Sequence, residues 1–191
     1  MRYGNTFMIE IRALKTIELA DLKCVASGYV SDHKYSVTIS ESQNSAAIKL
    51  ELTPLSERFV KRYSFDGETL KQYRTILKDQ FSFGAYEGNL LIGLIIGEVR
   101  AWNNSLWIHE FHVSDTHRRA GLGRNLMESV ANKAAKTGIR IIACETQNTN
   151  VPAIEAYRRL GFRIEGIDIS HYSNEDYPDG EIAIFMKRRL N

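Results

Sequence analysis

Polar and apolar positions alternate along residues 8–14 and predict a short strand, and residues 16–28 place Ile17, Leu19, Leu22 and Val25 at helical spacing. Residues 35–40 and 47–52 read as two strands around the polar turn Glu41-Ser42-Gln43-Asn44-Ser45. Between Pro54 and Gln80, Leu55, Phe59, Val60 and Tyr63 predict one helix, and Leu70, Tyr73, Ile76 and Leu77 predict a second. Residues 81–86, 90–102 and 106–113 form an antiparallel meander, turning at Glu87-Gly88-Asn89 and Asn103-Asn104-Ser105. Beyond it the period changes to helix over 123–136, stopped by Gly138, strand over 139–145 and helix over 151–160, stopped by Gly161. Strands over 162–170 and 181–187 complete the chain. A meander followed by strand–helix–strand–helix–strand implies a mixed sheet with helices on its faces, an α/β (α+β) single domain over 1–191.

Composition narrows this picture without redirecting it. At 191 residues the chain is long for one domain and short for two. Its 43% hydrophobic and 25% charged residues exclude disordered and fibrous classes. Lys and Arg number 25 against 23 Asp and Glu, a net +2 that advertises neither a nucleic-acid nor an anionic-membrane surface. The longest apolar run, residues 90–96, is too short to span a bilayer, and the start carries no sustained apolar stretch. Cys24 and Cys144 form no CxxC pair and read as small buried hydrophobes. A reducing cytoplasm is the expected location.

The most informative segment joins a strand end to a helix start: Val113-Ser114-Asp115-Thr116-His117-Arg118-Arg119-Ala120-Gly121-Leu122-Gly123-Arg124. Its Arg-x-x-Gly-x-Gly pattern suits a pyrophosphate. The glycines allow close backbone approach, the first helical N–H groups point at the anion, and Arg118, Arg119 and Arg124 add charge. Walker A would need Lys-Ser/Thr after the last glycine, where Arg124-Asn125 stand, and the dinucleotide pattern would need Gly where Leu126 stands. Farther along comes Asn150-x-x-Ala153-x-x-x-Tyr157-x-x-x-Gly161-Phe162.

In these two motifs, in this order and spacing, the chain resembles the GNAT superfamily of acyl-CoA-dependent N-acetyltransferases. The likeness in motifs covers about residues 106–165. A narrower likeness, through Glu145-Thr146-Gln147-Asn148-x-Asn150, the stretch 167–181 and the hairpin around 35–52, is to streptothricin acetyltransferases. The resemblance implies acetyl-CoA as cosubstrate, held by Phe111, Val113, Arg118, Arg119, Ala120, Gly121, Leu122, Gly123, Arg124, Asn150, Ala153 and Tyr157. It implies an acetyl-CoA-binding core over 81–191 and a substrate-side segment over 1–80. Transfer is expected to be direct, onto a primary amine of a small cationic molecule. The alternatives are a protein or peptide N-terminal amine, a polyamine or aminoglycoside, or an acyl-CoA-binding module without catalysis. Either a monomer or a homodimer is compatible with the resemblance.

Acetyl transfer to an amine needs a proton taken from an ammonium that is free base in roughly one molecule in two thousand at neutral pH. It also needs a proton for the departing thiolate. Tyr157 is the candidate for the second task, its phenol matching a thiol in pKa. Glu145 and Glu110 are rival candidates for the first, the alternative being that either one holds the cationic substrate while water relays the proton. Alternation places Glu145 at the strand's C-terminal end on the face of Ile141 and Ala143, and Glu110 lies in the run Trp107–Val113. His109 and His112, three apart on a strand, are expected on opposite faces and so share no metal. His117 reads as an extra donor in the turn or as solvent-facing, and Cys144 as no nucleophile. The arginine-rich turn contrasts with Glu165, Asp168, Glu175, Asp176, Asp179 and Glu181, an acidic stretch suited to a cationic acceptor.

Overall fold

A computed structural model describes residues 8–190; the first seven residues and Asn191 of the expected domain lie outside the described residues. In chain order the elements are β1 (Ile9–Ala13), α1 (Leu19–Val25), β2 (Tyr29–Ser42), β3 (Ser45–Lys61), α2 (Gly67–Ile76), β4 (Phe83–Glu87) and β5 (Leu90–Arg100). They continue with β6 (Ser105–Val113), α3 (Leu122–Lys136), β7 (Ile141–Gln147), α4 (Val151–Arg159), β8 (Arg163–Asp168) and β9 (Ala183–Arg189). The mixed α/β class, with a mostly antiparallel sheet, is the one expected. No helix among the described residues is long and apolar enough to cross a membrane.

One predicted element is wrong. Residues 55–63 form no helix; β3 runs on to Lys61 and pairs with β2 from Ser42↔Ser45 to Tyr29↔Lys61, with a bulge between Ser31 and His33. Leu55 and Phe59 are half-buried while Val60 is exposed, and the i, i+4 spacing that suggested a helix spans the irregular part of β3 between Pro54 and Phe59. Cys24 also departs from expectation, because Leu22 and Val25 set the inner face of α1 and leave the thiol exposed.

Two compact units make up the described chain. The first comprises the described residues of Met1–Ser27, Tyr63–Cys144 and Arg188–Asn191. Its sheet has the order β1-β4-β5-β6-β7, antiparallel except for β6 with β7. β5 is apolar over 90–97 and buried over 91–97, because both of its faces are covered there. Leu94 and Ile96 pack with Leu22, Val25, Leu70, Tyr73 and Ile76 of α1 and α2. On the other face, a Cβ at Gly93 would stand 3.2 Å from Leu126 of α3. Each such buried leucine or isoleucine contributes about 1.5–3 kcal/mol.

The second unit comprises Gly28–Arg62 and Glu145–Lys187, with β2 and β3, the end of β7, α4, β8 and β9. Strand order is β7-β9-β8, and β8 pairs antiparallel with β9. Asn148, fully buried, stitches it together: its Nδ2 donates to the Tyr35 carbonyl and its Oδ1 accepts from the Ile182 N–H, each at 2.9 Å. The expected substrate-side segment, residues 1–80, thus supplies residues to both units.

Candidate active site

In the first unit, β6 leads into the arginine-rich turn. Ser114 N–H bonds the Ile92 carbonyl at 2.9 Å, fixing where the strand stops. Arg118 faces back into the turn, its Nε 3.3 Å from the Val113 carbonyl and its guanidinium 2.8 Å from Asp115. Arg119 (φ 66) and Gly121 (φ 80) are both left-handed, and they reverse the chain into α3. Leu122 is buried and anchors the helix start.

Gly121 as N-cap offers no side-chain acceptor, and the first turn of α3 has no acid. The helix therefore presents its leading N–H groups and positive end to an anion. Gly123 lies over Phe111: a Cβ there would be 3.3 Å from the ring and 3.8 Å from Val113. Phe111 and Val113 thus floor the first helical turn, while Arg119, Ala120 and Arg124 are exposed around it. His117 is held by the protein, its Nδ1 2.8 Å from Ser114 Oγ and its Nε2 3.7 Å from Glu87.

Glu110 sits beside a β-bulge. The register passes from Ile96↔Glu110 to Gly97↔Ile108, leaving His109 as the extra residue. Leu94↔His112, Ile96↔Glu110 and Glu98↔Trp107 then bring Trp107, Glu110 and His112 to one face. His109 reaches that face too, with Nε2 2.9 Å from Glu98. The expectation that His109 and His112 face opposite sides fails here because the bulge breaks alternation. Among the described residues no group of three or more His, Cys, Asp or Glu is placed to hold a metal. Both oxygens of Glu110 hold protein partners, Oε1 accepting from Tyr73 and Oε2 contacting His112 Nε2. Burial, followed by the Glu110 charge, pushes the Tyr73 phenol well above its ordinary range, so it is a fixed donor. Burial works against ionisation of Glu98, but His109 and Arg100 hold its carboxyl below its ordinary value.

In the second unit, Glu145 is half-buried on β7. Burial raises its carboxyl above the ordinary range, opposed by the Tyr172 hydrogen bond and the His171 and Lys61 charges and reinforced by Glu181. Tyr172 donates to Oε1. Glu181 anchors a neighbouring network: Oε1 accepts from Thr149 at 2.7 Å and Tyr29 at 3.0 Å, and Oε2 pairs with Lys61.

Tyr157 is buried on α4, its ring 5.1 Å from that of Phe162. Its helix begins at Asn150, whose buried side chain accepts from Ala153 N–H at 3.2 Å. The acidic stretch is largely committed to the protein: Asp176 is buried, Asp168 meets His171, Glu165 meets Lys187 and Glu181 meets Lys61. The structure therefore keeps Glu110, Phe111, Val113 and residues 118–124 together in one unit, and Glu145, Asn150, Ala153 and Tyr157 in the other. Tyr172, Lys61, Tyr73 and Tyr29 carry no site role in the sequence-based expectations. The falsely predicted helix hides Lys61, and no spacing signal marks Tyr172.

Among curated proteins, a streptothricin acetyltransferase of Streptomyces lavendulae is 38% identical over 96 residues, 50% of each chain. One from Escherichia coli is 33% identical over 109 residues, 56% of this chain and 62% of that protein. The chain thus spans about half to three-fifths of the length of these relatives. Among solved structures, a nourseothricin acetyltransferase superposes with a TM-score of 0.73 at 24% identity, covering 96% of this chain and 99% of the other. A Bacillus anthracis str. Ames protein assigned as a streptothricin acetyltransferase, in complex with acetyl coenzyme A, gives 0.72 at 23% with the same coverage. These two share the fold. The sequence model of the acetyltransferase (GNAT) family matches residues 45–162, more than half of the chain and inclusive of the turn at 118–124 and the Asn150–Tyr157 helix, and the chain belongs to that family.

Proposed function

We propose that this protein is an acetyl-CoA-dependent N-acetyltransferase that acetylates a primary amine of a streptothricin-type antibiotic by direct transfer. The observation that carries the cosubstrate is the start of α3: a left-handed Gly121, no capping side chain, no acid in the first turn, and arginines around it. The substrate class rests on the 38% and 33% identities to streptothricin acetyltransferases.

In this reading the N–H groups of α3, with Arg119 and Arg124, hold the pyrophosphate. A carboxylate takes one proton from the substrate ammonium, and the amine nitrogen attacks the thioester carbon. The resulting oxyanion collapses, the carbon–sulfur bond breaks, and Tyr157 gives its phenolic proton to the thiolate. The nitrogen's second proton passes to the Tyr157 phenolate, the carboxylate gives its proton to solvent, and the amide and CoA leave.

Glu145 is the better base of the two rivals. Glu110 already has both oxygens on Tyr73 and His112, whereas Glu145 has one oxygen on Tyr172 and a pKa raised by burial toward the operating range. Incubation with acetyl-CoA and a panel of streptothricin, aminoglycosides, polyamines and peptides tests the substrate class. Acetylated streptothricin as the dominant product is expected; acetylation of peptide N-termini alone would replace the substrate.

A further inference from the structure

Glu145 is contacted from a segment with no regular secondary structure, the stretch between Asp168 and Ala183 that joins β8 to β9. That segment is folded by its own side chains. Ser170 N–H bonds Asp168 Oδ1 at 3.0 Å, and His171 Nδ1 lies 3.4 Å from Asp168 Oδ2. The His171 ring stands edge-on to Phe185 at 5.5 Å and to Tyr172 at 5.0 Å.

Asp176 is the hub of the turn. Its buried carboxylate accepts from Tyr172 N–H at 2.7 Å and from Ser173 Oγ at 2.6 Å, and Glu175 N–H bonds Ser173 Oγ at 3.1 Å. The segment closes at Gly180, where a Cβ would stand 2.9 Å from the Asp176 carbonyl oxygen. These contacts fix the backbone of Tyr172 and so direct its phenol. The phenol reaches one atom of Glu145, Oε1, and is the hydrogen-bond partner of that side chain among the described residues.

We propose that Tyr172 is the positioning residue for Glu145: anchored through Asp176, it immobilises Oε1 and aims Oε2 at the substrate ammonium. This rests on Glu145 being the proton acceptor proposed above. A flexible glutamate could orient its carboxyl many ways, at an entropic cost on each encounter with substrate; a phenol held from outside the strand removes that freedom beforehand. Burial, then the Glu145 hydrogen bond and charge, keep the Tyr172 phenol protonated, so it acts as donor throughout the working pH range. The charged and titratable groups facing Glu145 are Tyr172 and His171 from this segment, Lys61 from β3 and Glu181 from the residues before β9. Of these, Tyr172 alone is hydrogen-bonded to the carboxyl, so its removal acts on Glu145 through one bond.

The test is the titration of Glu145 itself, read from its side-chain carbonyl carbon by NMR in the whole protein without substrate and assigned by its loss in Glu145→Gln. In Tyr172→Phe the midpoint is expected to move to higher pH, since a donor to the ionised form is gone. Asp176→Asn is expected to move it the same way, and to add nothing when combined with Tyr172→Phe. In kinetics, Tyr172→Phe is expected to lower kcat/KM about tenfold on the acid side of the profile, with acetyl-CoA affinity unchanged. Coincident Glu145 titrations in the parent and Tyr172→Phe would overturn the proposal. So would an Asp176→Asn effect of equal size with and without Tyr172. Because the titration needs no turnover, it stands apart from the question of whether Glu145 is the base, which the activity of Glu145→Gln decides.

Discussion

Asn148 and Tyr35 are bonded to each other twice: the Tyr35 N–H reaches the Asn148 carbonyl at 2.9 Å, and Asn148 Nδ2 reaches the Tyr35 carbonyl at the same distance. The asparagine therefore stands in for a strand neighbour of β2, and through Ile182 it ties the same point to the approach of β9. Replacing it with alanine leaves a buried carbonyl and a buried N–H without partners. Asn148→Ala should cost about 2 kcal/mol in urea denaturation. A loss below about 0.5 kcal/mol, the range of ordinary surface changes, would contradict this role.

The turn before α3 depends on backbone conformation. Nothing lies within 4 Å of a Cβ at Gly121, so Gly121→Ala meets only the penalty of a left-handed φ, about 1–2 kcal/mol. Gly123→Ala has ordinary helical φ, and its new methyl must push the Phe111 ring. Both variants should bind acetyl-CoA more weakly by calorimetry, while Gly121→Ala alone should show the larger stability loss.

Tyr157 tests the leaving-group step. Tyr157→Phe keeps the ring packed against Phe162 and removes only the proton donor. Turnover should fall about a hundredfold, within the range of general acid catalysis, with acetyl-CoA Kd unchanged. Equal kcat in the two proteins would remove the assigned role.

Glu145 also leaves a mark on stability. Its folded-state pKa lies above the unfolded value, so the folded protein holds this proton more tightly. The stabilisation is complete below the unfolded pKa and is lost as pH rises through the folded one. Glu145→Gln escapes that loss. Its stability relative to the parent should rise from about pH 4 toward pH 7, measured by denaturation at each pH. A flat difference would mean the carboxyl is not perturbed.

The elements whose burial follows their own sequence period are legible in the amino-acid pattern alone. Residues 90–97 of β5 are an unbroken apolar run because both faces are covered there, and α3 starts where Gly121 and Gly123 permit it to. β3 is not, because Leu55, Phe59 and Tyr63 fall at helical spacing, while the pairing with β2 that decides the matter lies up to 32 positions away, at Tyr29↔Lys61. The bulge at His109 is equally invisible, since alternation carries no sign of an inserted residue. At the site, the turn 118–124 is legible through its glycines and arginines. Tyr172 is not, because its contact with Glu145 spans 27 positions and arises from an irregular segment folded around Asp176.

The most direct measurement is the reaction itself: the purified protein with acetyl-CoA and streptothricin, followed by free thiol release and by product mass. The proposed function predicts thiol release that depends on streptothricin and a product carrying one acetyl group on an amine. Thiol release no faster than background hydrolysis, with unmodified streptothricin recovered, would contradict it.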